Sequence, residues 1–309
     1  MKAVYTLLIL FVPFFVFTQN IISINPDNGV QGSNQLVEIQ MNESLFDNQI
    51  ETRLVLCDYY ESSINNSINS YEFFNDNNQW LQMDKVGHLY ACYYEGLAGI
   101  EMMKWAGYSK KEYSLIGGAY GLFIQTGVEI LDGFSEEWGA SPGDMTANII
   151  GAGLAMSQSY FWDEQRCIIK YSYTSSNYPK YRPEVLGKSH IEQLIKDYNG
   201  QTYWLSCNVK SFISETNWPS WLNIAIGYGA DGMIGGNNNI FRRDGLVYDY
   251  TSIHRKRQFY LSPDIDLSRI QSKNKVVKSL LIILNSLKFP MPTIEYNTES
   301  GLEGHWIKF

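Results

Sequence analysis

The sequence predicts an α+β fold: a three-helix, glycine-rich core followed by a strand-rich antiparallel C-terminal half. Three observations carry this. From Asp84 to Phe161 apolar residues recur at helical spacing among repeated glycines; after Trp162 the period switches to alternation; and 309 residues, 45% of them hydrophobic and 15% aromatic, suffice to bury the core such a fold needs. The alternative is a partial or closed outer-membrane β-barrel packed with helices.

Met1-Lys2 opens the chain with a charge, Ala3 to Phe17 is apolar, and Thr18-Gln19-Asn20 is polar, so residues 1–19 read as a secretory signal peptide. The apolar run is short for a membrane span. No cysteine stands near the expected cleavage point, which speaks against acylation there. Residues 20–80, rich in Asn, Ser and aromatics, read as an N-terminal helical leader, with patchy helical periodicity from Glu43 to Tyr60.

Residues 81–163 read as a three-helix polar-network domain. Its helices run over about 84–106, ended by Gly107, about 109–131, opened by Ser109, and about 142–161, opened by Ser141-Pro142. Short connections predict antiparallel neighbours. Gly117, Gly118, Gly121, Gly127, Gly151 and Gly153 each weaken a helix by about 1 kcal/mol relative to alanine. Close approach of helix backbones would offset that cost.

Residues 164–309 read as an antiparallel β-rich region with one helix near 274–288. In Cys167–Tyr173 and Tyr203–Val209 alternate residues share a face. Trp221–Ala230 sets Leu222, Ile224, Ile226 and Tyr228 against Asn223, Ala225, Gly227 and Gly229, one face bulky and one small; Gln258–Leu267 repeats the form. Pro290 and Pro292 stop the helix. The final Gly304-His305-Trp306-Ile307-Lys308-Phe309 resembles the closing strand of outer-membrane barrels. The five or six strands that can be drawn are fewer than the eight of the smallest such barrels, so an open sheet leads.

With Lys+Arg 24 against Asp+Glu 32 and no basic patch, the sequence offers nucleic acid no electrostatic footing. Cys57, Cys92, Cys167 and Cys207 show no metal-thiolate spacing. Export permits a disulfide, for which Cys167–Cys207 is the preferred pair because both lie in candidate strands; burial as small apolar side chains serves equally.

The polar residues of the helical block are the candidate site. Asp84, His88 and Glu95 fall on one face of the first helix, and a carboxylate four residues before a histidine can accept its ring proton and raise its basicity. Gln125, Glu129 and Asp132 form one face of the second, an inward polar face. Ser141 and Asp144 have the spacing of a helix cap, and Asn148 points the same way one turn on. The catalytic candidates are His88, Asp84 and Glu129. The wider network or ligand-binding set is Asp84, Lys85, His88, Glu95, Gln125, Glu129, Asp132, Ser141, Asp144 and Asn148. A satisfied interior hydrogen-bond network would use the same residues. The sequence assigns no metal and no cofactor.

The motifs DKxGH (Asp84–His88), ExxDG (Glu129–Gly133), WGxSxxD (Trp138–Asp144) and AN (Ala147-Asn148), in this order, resemble a bacterial family, domain of unknown function 2279, described as predicted periplasmic lipoproteins. Asn75-Asp76-Asn77, Lys196–Ser206 and Tyr260–Leu267 resemble its long Bacteroidetes-type form. There is a fainter similarity to VanZ-like membrane proteins. The resemblance implies an envelope location and a site drawn from Asp84, Lys85, His88, Glu129, Asp132, Asp144 and Asn148.

The leading expectation is an exported, periplasmic or outer-membrane-associated protein, a non-enzymatic scaffold or small-ligand binder whose partners are membrane or envelope components. The alternative is a metal-assisted or His/Asp-dependent hydrolase or transferase on lipid or cell-wall precursors, with His88 as base and Glu129 and Asp132 holding a metal or acting as acid. A third possibility is three membrane-spanning helices.

Overall fold

In the computed structural model, residues 71–135, 139–213 and 215–308 are described. The expected signal peptide and all of the leader before residue 71 lie outside them.

Three long helices begin the fold: α1 (Met83–Trp105), α2 (Lys110–Asp132) and α3 (Pro142–Trp162). Their caps are those the sequence signals. Ser109 and Glu112 close a reciprocal capping box, and Ser141 Oγ accepts the Asp144 amide with Pro142 following it. Gly107, at φ +85°, turns the chain out of α1. One feature departs from expectation: α2 is not uniform, because Tyr113–Gly117 forms a π turn where Gly117-Gly118 weaken the α-helical preference.

The glycines divide into two groups. A Cβ on Gly99 would lie 2.1 Å from Gly117 O, one on Gly121 2.2 Å from Cys92 O, and one on Gly151 2.4 Å from Leu89 O. These positions therefore let α1 rest backbone to backbone on α2 and α3. Gly127 and Gly153 have nothing within 4 Å, so the close-approach expectation fails for those two. Both face outward.

Among the described residues one helical stretch, Lys110–Asp132, is long and apolar enough to cross a membrane. α1 and α3 do not meet that measure of length and apolar content.

A six-stranded antiparallel sheet follows, in the order β1 (Cys167–Tyr173), β2 (Gln201–Cys207), β3 (Leu222–Asp231), β6 (Lys256–Ile265), β7 (Met291–Asn297), β8 (Gly301–Lys308). The hairpin β4 (Ile240–Arg243) and β5 (Leu246–Asp249) stands apart. Short helices α4 (Pro183–Leu186), α5 (His190–Lys196) and α6 (Val209–Phe212) occupy connections, and α7 (Lys275–Leu284) joins β6 to β7. No closed barrel forms among the described residues; the free edge of β1 instead bonds to Ser286 and Lys288, the segment leading into β7. Val209 and Leu267, expected in strands, start α6 and a 3-10 turn. Cys167 and Cys207 are directly opposed in β1 and β2 and form the disulfide.

Besides the short helices α4, α5 and α6, the β4–β5 hairpin and β7 escaped the sequence reading. The β4–β5 turn is Asp244-Gly245, both at positive φ, a two-residue hairpin turn whose Asp-Gly signature is visible in the sequence. β7 was hidden by Pro292, which the sheet accommodates at a register shift between Met291 and Thr293.

The helices meet the sheet at β1 and β2. Tyr90 packs its ring on Tyr171 and Tyr203, and the Tyr94 hydroxyl donates to Ile169 O at 2.6 Å. Farther along, polarity is reversed: in β3 the small and amide residues Asn223, Ala225, Gly227 and Gly229 are buried while Ile224 and Ile226 are exposed. The buried side carries its own charge lattice. Lys170 Nζ lies 2.8 Å and Lys288 Nζ 3.5 Å from Asp264, all three buried, and Ser206 Oγ donates to Asp264 at 2.6 Å.

Gly99→Ala is expected to destabilise the protein by about 2 kcal/mol or more, through overlap with the Gly117 carbonyl. Gly153→Ala should stabilise it by about 0.5–1 kcal/mol. Urea unfolding of the two variants checks the contrast, and equal effects would contradict the packing.

Candidate functional site

The sequence before α1 is wound tightly: Trp80, Leu81 and Gln82 all have positive φ, and Trp80 is buried against Tyr198. This turn delivers Asp84 and Lys85 to the first turn of α1, with His88 one turn later. Packing against the glycine faces of α2 and α3 then brings Glu129 and Asp144 to the same point.

Lys85 is the hub. Its Nζ lies 2.5 Å from Asp76 Oδ2, 3.2 Å from Asp84 Oδ2, and 2.8 and 2.9 Å from the two oxygens of Asp144. Tyr198, between α5 and β2, donates its hydroxyl to Asp84 Oδ1 at 2.6 Å. Ser141 ties the other ends: its Oγ donates to Asp76 Oδ1 at 2.6 Å, and its backbone N–H donates to Glu129 Oε2 at 3.0 Å.

His88 stands between two carboxylates, with Nδ1 3.6 Å from Glu129 Oε1 and Nε2 3.8 Å from Asp144 Oδ1. The expected orientation of His88 by Asp84 does not take the form of a hydrogen bond. Tyr198 and Lys85 engage the Asp84 carboxylate, although donor atoms of Asp84, His88 and Asp144 all lie within 4.8 Å of one another, a spacing at which a divalent cation could be shared.

Glu95 and Gln125 form a separate pair deeper in the bundle, the Gln125 amide donating to both carboxylate oxygens at 3.0 and 2.9 Å. Asp132 interacts electrostatically with His88, Asp84 and Asp144. Asn148 is completely buried one turn beyond Asp144, and both of its amide atoms make no hydrogen bond. His88 Nδ1 and Glu129 Oε1 are likewise without a hydrogen-bond partner.

Burial is the strongest influence on these groups. It pushes Glu129 up to about 7 against the opposing pull of His88, and raises Asp132 and Asp144 to about 6 and Glu95 to about 8. For His88 burial works downward, yet Asp84, Asp144 and Glu129 outweigh it and raise the imidazole above its ordinary value. Asp84 is held low: His88, Lys85 and the Tyr198 hydroxyl together overcome its burial.

Asp76 and Tyr198 were not among the expected site residues. Both lie in segments that carry the long-form family resemblance, Asn75-Asp76-Asn77 and Lys196–Ser206, which was the signal available for them.

Residues 72–159 match the family model described as "Predicted periplasmic lipoprotein", domain of unknown function 2279. Over this segment the chain is similar to that family. No curated protein and no solved structure matches. The domain of unknown function 2279 segment takes in α1, α2 and α3, and with them every site residue named above except Tyr198. The protein is accordingly an exported one, periplasmic or outer-membrane associated. The fainter VanZ-like similarity gains no support.

His88, Glu129, Asp132 and Asp144 all hold their protons more tightly in the folded protein than in the unfolded chain. The contribution of the three carboxyls is therefore complete below about pH 4 and is lost as pH rises through about 6 and then 7, and that of His88 is complete below the ordinary imidazole value and lost only above it. Asp84 has the opposite sign and weakens the fold only in stronger acid. The thermal midpoint is expected to fall from about pH 5 to about pH 8, and to fall less in Glu129→Gln. A midpoint that rises over this interval would contradict the assignment.

Proposed function

We propose that the protein is a non-enzymatic envelope protein at the outer membrane that binds a small cationic or hydrogen-bond-donating ligand at the His88–Glu129–Asp144–Asn148 centre. The observation that carries this is Asn148. A wholly structural network pairs its buried amides, because an unpaired buried polar group costs about 1–3 kcal/mol. Here both Asn148 amide atoms make no hydrogen bond, one turn of α3 beyond Asp144, and His88 Nδ1 and Glu129 Oε1, 3.6 Å apart, make none either. Asp76, Asp84, Asp132, Asp144 and Glu129 outnumber Lys85 and His88, so the surplus of acid favours a positive or donor-rich ligand.

The Asp84–His88–Asp144 spacing supports a second reading, a metal-assisted hydrolase or transferase on lipid or cell-wall precursors with His88 as base. Any such cation must compete with the Lys85 ammonium, which already bridges Asp84 and Asp144.

Asn148→Leu separates a binding centre from a structural one. If the unpaired amide serves a ligand, the variant should unfold no more readily than the parent, and should gain up to about 1–3 kcal/mol without ligand. It should also lose any thermal shift the parent shows with spermidine. A loss of stability in Asn148→Leu, with no probe shifting the parent, would mark the centre as structural. Stoichiometric metal in the purified protein, absent from His88→Ala, would favour the enzyme reading.

A further inference from the structure

The outward residues of β3, β6, β7 and β8 are aligned by the strand register into rows that cross the sheet. One row is aromatic: Phe259 lies opposite Tyr296 and Tyr296 opposite Leu302, while Tyr228, opposite Phe259 at the inner end of the row, packs under the turn before α1 with its hydroxyl donating to Leu81 O. The next row is aliphatic, with Ile226 opposite Leu261, Leu261 opposite Ile294, and Gly304 at its end. Ile224 opposite Pro263 and Leu222 opposite Ile265 continue it. At the far end Trp221 precedes Leu222, and Trp218 and Trp306 line an apolar groove of about 690 Å³ over the same rows.

Most of these side chains are exposed, from 43% at Ile224 to 89% at Trp306, while Tyr228, Leu222, Ile265 and Trp218 are partly buried. Their strand neighbours point the other way and are buried and polar: Asn223, Ser262, Asp264, Thr293, Glu295 and Asn297. An antiparallel sheet with one face in water has the reverse arrangement. Outer-membrane sheets have this one, with apolar side chains outward, polar ones inward and aromatic girdles bounding a band roughly 25 Å tall. The seven steps from Trp221 to Tyr228 cover about 23 Å along the strand at about 3.3 Å each. Past the aromatic row the strands turn charged, with Arg257 opposite Ala230 and Lys256 paired to Asp231 at 3.3 Å.

We infer that the outward face of β3, β6, β7 and β8 is lipid-facing, its partner being the acyl-chain layer of a bilayer. The inverted polarity of the strands, the aromatic borders, the charged flank beyond one of them and the charge lattice sealed behind the face all fit hydrocarbon. α1 covers the same face at β1 and β2, so the bundle stands beside the bilayer-contacting strands. The inference is independent of the ligand proposed for the helix centre.

The full chain, reconstituted with phosphatidylcholine vesicles whose acyl chains are dibrominated, tests it by tryptophan quenching. The parent is expected to float with the vesicles and be quenched, and Trp306→Phe should remove a defined share of that quenching. Leu261→Lys combined with Ile294→Lys should lower the vesicle-bound fraction at least tenfold. Circular dichroism of this variant in detergent checks that it folds; should it not, the parent and Trp306→Phe measurements decide alone. Trp306 unquenched in the parent would overturn the inference. A monomer would then assign the cover to another segment of the chain, and a dimer with Trp306 at its interface to a second copy.

Discussion

The ammonium of Lys85 is the constraint on which the helical half depends. A buried cation without partners costs several kcal/mol, so the fold must bring carboxylates to it from wherever the chain can supply them. Asp76 arrives from the segment before α1, Asp84 from α1 itself and Asp144 from the cap of α3. The tie extends beyond the helices, because the Tyr198 hydroxyl on Asp84 fastens the region between α5 and β2 to the same centre. Glycines make the convergence possible: Gly99, Gly121 and Gly151 allow backbone contact, and without it the charged side chains of α1 could not reach those of α3.

The same preference for polar interiors runs through the molecule. In α3 Asp144, Asn148, Gln158 and Ser159 are buried while Ile149, Ile150 and Phe161 are exposed. In the sheet Asp264 sits between Lys170 and Lys288 while Leu261 and Ile294 face out. Small residues and hydrogen bonds hold these interfaces, where a water-soluble domain would use large apolar side chains. That distribution is what the proposed lipid contact and the proposed ligand centre both draw on.

Much of this was legible in the sequence, for reasons that are local. Capping signals at Ser109 and Ser141 placed the helix starts, and strict alternation placed β1, β2, β3 and β6. What could not be read was which face of an alternating strand turns inward. Ile224 against Ala225 reveals two faces, but only the partner surfaces decide which is buried, and those come from distant sequence. Pro292 concealed β7 because a proline is excluded from regular pairing and nothing local announces the bulge that accepts it. At the site, helical spacing put Asp84 and His88 on one face, yet competition from Lys85 and Tyr198 draws the Asp84 carboxylate away, leaving Glu129 and Asp144 as the closer neighbours of His88. Such competition is tertiary and has no signature in spacing.

A double-mutant cycle between Lys85 and Asp144 tests the central constraint most directly. Lys85→Met, Asp144→Asn and the double variant would be unfolded in urea and the coupling energy taken from the cycle. A buried ion pair at 2.8 Å predicts each single variant to be strongly destabilised and the double to be far less so than their sum, with a coupling of about 2 kcal/mol or more. Effects that add to within about 0.5 kcal/mol would show that the two groups do not share an interior site, and would contradict the account.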